Sequence, residues 1–292
     1  MRFWQSIAFT EADQLLEVAK ICDEVGFDGV MMSDHLFHFE HLQSRYPYSA
    51  DGKPPWFSPE TVWPECWSTF AAMAAVTQRI RFITNVYILP LRNPIEVAKV
   101  TSSVAVFFEG RLTLGAGAGW MKEEFDVLGV DFETRGKRFD ECIEVLRQLW
   151  SGDMVEHHGR FFDFPRMRMW PVPRAPIPIY IGGMTPAALR RAARLGDGWL
   201  GAGQTPEQAL ETVRQLQQLR TQAGRSSEPF DIVAPLTVPP QLDTLKRMRD
   251  AGVGGAVSDP FTFTIGPSST LAQKRAYLEG YANNIITKVK KV

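Results

Sequence analysis

The chain has few cysteines and no long apolar run. Cys22, Cys66 and Cys142 are far apart and form no Cys-x-x-Cys pair, which argues against a disulfide framework and against a zinc site. No apolar stretch approaches the ~18 residues that a membrane span needs. The first residues include acidic Glu11 and Asp13, whereas a signal peptide begins basic and then turns apolar. We therefore expect a cytoplasmic protein with no membrane partner.

An excess of charge of either sign is also missing. Lys and Arg together number 32, Asp and Glu together number 33, and the formal net charge is −1. Such a chain has no broad positive field to gather nucleic acid. Neither Gly-x-Ser-x-Gly nor His-Glu-x-x-His occurs, which disfavours common hydrolases. His38 and His41 have no clear third ligand, so we predict solvated loop histidines and no metal site.

One local pattern recurs along the chain: an amphipathic helix, a glycine and a short apolar strand. The glycines are Gly26, Gly196 and Gly252, each where a helix end commonly takes the left-handed conformation. Other apolar segments are continuous rather than alternating, which is typical of strands buried on both faces. These segments are residues 81–90, 111–117, 177–183 and 231–238. The pattern indicates a repeated strand-helix unit.

The repeat extends over the whole of residues 1–292, which we predict to be a single domain. Further strands are predicted at 2–8, 29–33, 198–201 and 254–258, and helices at 15–25, 65–77, 94–108, 135–150, 187–195, 206–223, 242–251 and 269–286. Eight alternating units of this kind predict the α/β class and a (β/α)8 TIM barrel, which typically needs about 250 residues. A Rossmann-type domain is the alternative, but it requires a glycine-rich turn after the first strand, and residues 6–11 contain no glycine.

Two insertions fit neither the strand nor the helix pattern, one after the second strand and one before the fifth. Residues 37–64 and the predicted hairpin 155–174 are both candidate lids. His157 and His158 are expected on the hairpin surface. Aromatic side chains in these segments favour an apolar or ring-containing substrate, although they would also serve to pack a lid; they include Tyr46, Tyr48, Trp56, Phe57, Trp63 and Phe161.

The residues that do chemistry in a TIM barrel lie where its strands end. The second strand ends at Ser33, Asp34 and His35, which places an imidazole beside a carboxylate. A histidine here suits hydrogen bonding or proton transfer near neutral pH, so His35 is the candidate catalytic residue. A simple turn cluster is the alternative, because Ser and Asp commonly begin turns.

The third strand contains the sequence Thr84-Asn85-Val86, which sets a polar amide among apolar residues. A buried amide must find hydrogen-bond partners. Either a bound planar ring lies against this backbone, or the amide is satisfied within the core.

Glycine-rich turns follow the fourth and fifth strands. Glycine lets backbone amides approach a phosphate or a flavin ring closely, and the helix start at Thr185-Pro186 suits a phosphate. Bending of the chain at the barrel rim and capping of the helix by Thr185 are the alternatives. The cofactor-binding candidates here are Ala116, Gly117, Gly119, Trp120, Gly182, Gly183 and Met184.

These motifs, taken in order over nearly the whole chain, resemble the luciferase-like monooxygenase and reductase superfamily. The resemblance rests on Ser33-Asp34-His35, Thr84-Asn85-Val86 with Leu89-Pro90, residues 110–120, and Ile181-Gly182-Gly183. Within the superfamily, the branch that uses the deazaflavin coenzyme F420 is the most similar. That similarity rests on Gly110-Arg111-Leu112, Gly117-Ala118-Gly119-Trp120 and Leu149-Trp150-Ser151-Gly152.

The resemblance implies roles for particular residues. It implies a cis peptide between Asn85 and Val86, forming a bulge behind the cofactor ring, and it implies contact of His35 with the ring near the hydride-carrying carbon. The ribityl phosphate tail would lie on Gly117, Gly119 and residues 182–184. Relatives that oxidise sugar phosphates have a carboxylic acid where this chain has Trp120, so that activity is not expected here.

The first hypothesis is therefore an oxidoreductase that transfers a hydride between F420 and a small organic substrate. An FMN-dependent monooxygenase that works with a separate reductase is the second hypothesis. A non-catalytic flavin-binding barrel is the third. The resemblance also implies a homodimer.

Overall fold

A closed barrel of parallel strands forms the centre of the molecule. The computed structural model describes residues 1–55, 58–108 and 110–291. The strands are β1 (Arg2–Ser6), β2 (Gly29–Met32), β3 (Arg81–Thr84), β4 (Tyr87–Ile88), β5 (Leu112–Gly117), β6 (Val155–His158), β7 (Asp163–Met167), β8 (Ile179–Gly182), β9 (Gly198–Leu200), β10 (Asp231–Val233) and β11 (Gly255–Ser258). The barrel order is β3-β2-β1-β11-β10-β9-β8-β5, and pairing of β3 with β5 closes it. The predicted (β/α)8 TIM barrel is confirmed.

Helices surround this barrel. They are α1 (Leu15–Val25), α2 (Cys66–Ala75), α3 (Pro94–Phe108), α4 (Lys122–Val127), α5 (Arg135–Trp150), α6 (Pro186–Leu195), α7 (Pro206–Gln222), α8 (Leu242–Asp250), α9 (Phe261–Thr264), α10 (Leu271–Tyr281) and α11 (Thr287–Lys290). Several begin with a side-chain cap: Thr185 accepts from Ala188 N, and Thr205 forms a capping box with Gln208. Each helix that follows a barrel strand begins at the carboxyl end of that strand, so the positive ends of several helix dipoles lie around one mouth.

The two largest apolar clusters hold the barrel and its helices together. The larger cluster lies between the barrel and its helices, where Phe3, Phe82 and Ile181 are fully buried. The smaller cluster fills the barrel itself and consists of Trp4, Met31, Ile83, Tyr180, Leu200 and Val233. Because side chains fill the interior, a ligand has room only above the strand ends.

The third strand of the barrel is divided in two. Residues 81–90 were predicted as one strand, but β3 stops at Thr84, β4 contains only Tyr87 and Ile88, and a 3-10 turn follows at Leu89–Leu91. The interruption is a cis peptide between Asn85 and Val86, which confirms the expectation from the family resemblance. β4 still pairs with β5, since Tyr87 lies opposite Ala116.

Other boundaries differ from the predictions. Gly26 and Gly252 have φ values of 104° and 103° as expected, but Gly196 has φ −81°. A Cβ on Gly196 would lie 2.8 Å from the carbonyl oxygens of Ala192 and Gly198, so crowding, not handedness, requires glycine there. Strand 231–238 ends at Val233, and helix 269–286 begins at residue 271 and becomes a π-helix at Ala282–Ile286.

The second insertion is a hairpin, as predicted, but it is not a lid. β6 and β7 pair antiparallel on the outside of α5, where Glu141 accepts the backbone N–H groups of Phe161 at 2.9 Å and Phe162 at 2.8 Å. His157 was predicted at the surface, yet its side chain is only 10% exposed and contacts Glu141 at 3.3 Å. The reason is topological: the chain returns from a helix to the next strand on the outside of the barrel, away from the mouth.

The described residues contain no helix that is both long and apolar enough to cross a membrane. They also contain no group of His, Cys, Asp or Glu side chains that could hold a metal ion. His41 is exposed, and His38 is half-buried.

Candidate active site

A cavity of about 750 Å³ opens at the carboxyl ends of the barrel strands, within the usual range for small-molecule sites. The exits of all eight barrel strands line it together with part of the first insertion. Of the residues predicted for the site, those that line the cavity are Ser33, Asp34, His35, Asn85, Val86, Trp120, Gly182 and Gly183. Thr84, Ala116, Gly117, Gly119 and Met184 do not line it.

A buried ion pair fixes the backbone beneath this cavity. Asp34 at the end of β2 meets the guanidinium of Arg92 with two contacts of 2.8 Å. Asp34 also accepts the backbone N–H of Ile88 at 3.0 Å, and Arg92 donates to the carbonyl of the same residue at 3.0 Å. Burial raises the pKa of Asp34, and the charge of Arg92 opposes that rise. The pair therefore joins the end of β2 to Ile88 of β4, which lies two residues after Val86 in the chain.

The side chain of Val86 wedges between two glycines. A Cβ built on Gly117 would lie 2.5 Å from Cγ2 of Val86, and one on Gly182 would overlap Cγ1 of the same residue. Glycine at both positions therefore leaves room for Val86, which itself lines the cavity. The predicted contact of Gly117 with a phosphate stays a prediction, because this packing alone accounts for its glycine.

The other predicted residues have identifiable neighbours. Thr84 is fully buried and donates through Oγ1 to the carbonyl of Gly115 at 2.7 Å. Gly119 has φ 83° and lies against Ile88 and Phe125. Met184 accepts the backbone N–H of Ala202 at its sulfur, at 3.5 Å. These contacts stabilise the backbone around the cavity, but the three residues do not themselves line it.

His35 is held by a carboxylate that the sequence did not reveal. Its Nδ1 lies 3.2 Å from Oε1 of Glu124, and the same oxygen accepts the backbone N–H of Leu36 at 3.0 Å. The Glu124 side chain is only 2% exposed, and the His35 side chain is 13% exposed. A carboxylate can only accept a hydrogen bond, so it favours the tautomer that carries hydrogen on Nδ1. The opposite ring nitrogen, Nε2, is then the acceptor.

The described part of the first insertion covers the cavity with aromatic rings. Tyr46 lies 5.4 Å from Tyr48 and 5.3 Å from Trp120 between ring centroids, and all three line the cavity. Burial raises the pKa of Tyr46 to about 12, so its hydroxyl is neutral and can donate at neutral pH. Trp56 and Phe57 lie outside the described residues, and Phe161 belongs to the hairpin on α5.

Helix α4 anchors this covering segment. Glu123 accepts the backbone N–H groups of Gln43 at 2.7 Å and Ser44 at 2.9 Å. Ser44 in turn accepts the backbone N–H of Lys122 at 2.9 Å. The segment is thus attached to the first turn of the helix that carries Glu124.

Sequence reasoning missed several residues of the site. Glu124 and Arg92 act through partners that are distant in sequence, and no spacing rule connects them to the β2 exit. The exits of β1, β9 and β11 could have been found by inspecting every strand end in turn, as the barrel fold recommends. The cavity residues found there are Phe9, Gly201, Ala202, Gly203, Asp259 and Phe263.

The cavity has one wall suited to a flat ligand. At the adjacent exits of β8 and β9 it is lined by Gly182, Gly183, Gly201, Ala202 and Gly203. Residues without large side chains let a planar ring or a phosphate approach the backbone. Helix α6 begins directly beyond this wall, and its positive end favours an anion there.

This arrangement is that of a TIM-barrel protein with a cavity of ligand size over the carboxyl ends of its strands. Residues 4–250 match the family model of the luciferase-like monooxygenases. The chain therefore belongs to the luciferase-like monooxygenase family.

The chain is similar to several proteins of known sequence or structure. An uncharacterised protein of Mycobacterium tuberculosis is 38% identical over 291 residues, which cover 99% of this chain and 100% of that protein. An F420-dependent glucose-6-phosphate dehydrogenase of Microbacterium testaceum is 30% identical over 248 residues, which cover 81% of this chain and 68% of that protein. A monooxygenase from Streptomyces bottropensis has the same fold, with a TM-score of 0.79, 18% identity and 99% of both chains covered.

The Val86 wedge generates the first prediction. Gly117→Ala should lower the free energy of unfolding by about 1–3 kcal/mol, because the new methyl group overpacks the contact with Val86. Val86→Ala in the same chain should remove part of that loss, giving a coupling energy of roughly 0.5–3 kcal/mol. Urea unfolding of the single and double variants measures both values. Gly280→Ala is the control, since a Cβ there meets no atom within 4 Å; additive losses would contradict the wedge.

The Glu124 contact generates the second prediction. Glu124→Gln should redistribute the neutral His35 ring between its two tautomers, because an amide can either donate or accept. Nitrogen NMR of the imidazole rings measures the tautomer, and a His35→Gln spectrum assigns the signal among the five histidines. Glu123→Gln removes the neighbouring carboxylate and should leave the His35 ring unchanged. An identical His35 tautomer in the Glu124→Gln and wild-type proteins would show that the carboxylate does not orient the ring.

Proposed function

We propose that the protein is an F420-dependent oxidoreductase that transfers a hydride between the deazaflavin and a small organic substrate. One observation carries the proposal: His35, oriented by Glu124, lines the same cavity as the Asn85–Val86 bulge and the glycine wall of β8 and β9. The relative named as an F420-dependent dehydrogenase, which this chain matches over 81% of its length, supports it.

The residues present fit this cofactor. Small side chains at Gly182, Gly183 and Gly201 to Gly203 leave a flat backbone surface for a tricyclic ring and its tail. Ser33, Asn85 and the amides near the start of α6 supply hydrogen-bond donors at the edge of that surface. Val86 would support the ring from below. When bound, F420 supplies two-electron hydride chemistry and does not readily activate oxygen.

His35 is the group that would handle the substrate proton. With Nδ1 bound to Glu124, Nε2 can take the hydroxyl proton of an alcohol, and the adjacent carboxylate stabilises the imidazolium that forms. Asp34 does not compete for this role, because Arg92 and the backbone N–H of Ile88 occupy its oxygens. A positioned base of this kind contributes about 10²–10⁴-fold to rate.

An FMN-dependent monooxygenase is the second candidate. The family description and the fold likeness to a Streptomyces monooxygenase favour it. That reaction inserts oxygen and requires reduced flavin from a separate reductase, whereas the F420 reaction requires no second protein. A homodimer belongs to either proposal.

A cofactor titration tests the choice between them. The purified protein should bind F420 more tightly than FMN, because the chain most resembles the F420-using branch of the family. Titration of each cofactor into the apoprotein, followed by tryptophan quenching and calorimetry, measures the two dissociation constants. Tighter binding of FMN would reverse the order of the two proposals, and binding of neither would reject both.

Replacement of His35 tests its chemical role. His35→Ala should lower turnover about 10²–10⁴-fold, while the free energy of unfolding changes by only about 1 kcal/mol. Steady-state reduction of F420 by an alcohol and urea unfolding measure the two effects on the same preparation. The control is His158→Ala, which alters an exposed side chain on the hairpin. Parallel loss of turnover and stability would count against proton transfer by His35.

A further inference from the structure

The cavity wall opposite the glycines consists of aromatic rings. We call Phe9, Trp63 and Phe263 the aromatic wall. Phe9 packs edge to face with Trp63 at 5.3 Å and with Phe263 at 5.8 Å between ring centroids. Trp63 packs in the same way against His35 at 5.1 Å. The wall therefore begins at the candidate proton-handling residue and runs away from it along the mouth.

The order of the strands separates this wall from the glycine wall. Phe9 follows β1 and Phe263 follows β11, while Gly182 ends β8 and Gly183 follows it. In the closed order β3-β2-β1-β11-β10-β9-β8-β5, strands β1 and β8 are diametrically opposite. A cofactor held over the glycine wall thus leaves the aromatic wall to a second molecule. His35 follows β2, the neighbour of β1, and contacts Trp63 of the aromatic wall.

Two features argue that these rings do more than pack the lid. Phe9 has φ 61°, a left-handed conformation that disfavours a phenylalanine, and it is the single non-glycine residue with positive φ in the described part of the chain. The side chain of Phe263 is 48% exposed although it lies at a cavity mouth.

The charges around the cavity disfavour an anionic substrate. Its charged lining residues are Asp34, Asp51, Lys53 and Asp259, apart from His35. Arg92 neutralises Asp34. Asp51 and Lys53 lie on the covering segment and carry opposite charges, which leaves the carboxylate of Asp259 as the excess negative charge of the lining. Asp259 lies at the exit of β11 beside the aromatic wall and has no ion-pair partner among the described residues. A phosphate ester at this wall would face an unpaired carboxylate.

We propose that the aromatic wall binds an uncharged cyclic alcohol, or the ketone formed from it, and that the site rejects phosphorylated sugars. The reaction assigned to this alcohol rests on the function proposed above. In the F420-loaded protein, oxidation of the alcohol would break its carbinol C–H bond, and the oxidised deazaflavin would supply the acceptor for the hydride. The hydroxyl proton passes to Nε2 of His35, and a carbonyl group remains. The ring stacks on the wall, and its hydroxyl lies near His35.

Binding of two matched probes tests the substrate class. 1-Indanol carries a fused ring and a secondary hydroxyl, and glucose 6-phosphate carries hydroxyls and a dianionic phosphate. Calorimetry with the F420-loaded and the cofactor-free protein should give the tighter binding for 1-indanol. Phe9→Leu and Phe263→Leu should each weaken that binding about 3- to 10-fold, the loss expected for one aromatic contact. Phe107→Leu, on the far exposed end of α3, should leave it unchanged.

Replacement of Asp259 tests the rejection of anions. Asp259→Asn should strengthen binding of glucose 6-phosphate at least about 3-fold, because the repelling carboxylate is removed. Asp243→Asn, a change of the same charge on α8, should have no effect. Tighter binding of glucose 6-phosphate than of 1-indanol to the wild-type protein would overturn the proposal. Equal affinity for 1-indanol in the wild-type, Phe9→Leu and Phe263→Leu proteins would also overturn it.

The outcomes separate this inference from the proposed function. Binding of 1-indanol that depends on Phe9, in a protein that binds neither F420 nor FMN, supports the aromatic wall and rejects the cofactor. If the protein binds F420, and glucose 6-phosphate reduces the cofactor while 1-indanol does not, the proposed cofactor is supported. The proposed substrate class at the aromatic wall is then rejected.

Discussion

The buried pair of Asp34 and Arg92 is the contact on which the geometry of the site depends. It joins the exit of β2 to the short strand β4, and its partners are only 7% and 16% exposed. Removal of one member of such a pair leaves the other buried and unpaired, which is strongly destabilising. His35 follows Asp34 directly, and Ile88, bonded to both members, lies two residues after Val86. The imidazole and the third-strand bulge are therefore held in register by one interaction.

The fold could be predicted because its signals are local. Amphipathic helices, the glycines after α1 and α8, and continuous apolar strands each report on a few neighbouring residues. Predictions failed where a distant contact decides the conformation. Gly196 is glycine because two carbonyl groups crowd it, and the hairpin 155–174 lies on α5 because Glu141 binds its backbone. Neither neighbour can be identified from spacing along the chain.

The site was predictable at the strand ends and not beyond them. Ser33, Asp34, His35, Asn85 and Trp120 line the cavity as the barrel rule predicts. Residue type was a weaker guide. Gly117 was predicted to contact a phosphate, yet a γ-methyl group of Val86 lies where its side chain would be. Glu124 escaped notice because a glutamate at the start of a helix is ordinary, and only folding shows that it is buried against an imidazole.

Two adjacent glutamates at the start of α4 connect different parts of the molecule. Glu123 holds the segment that covers the cavity, and Glu124 holds His35. Consecutive residues in one helical turn cannot be displaced independently of each other. A change in the position of that turn would therefore affect the contacts of both glutamates. The placement of the covering segment and the orientation of the His35 ring are thus both set by a single helical turn.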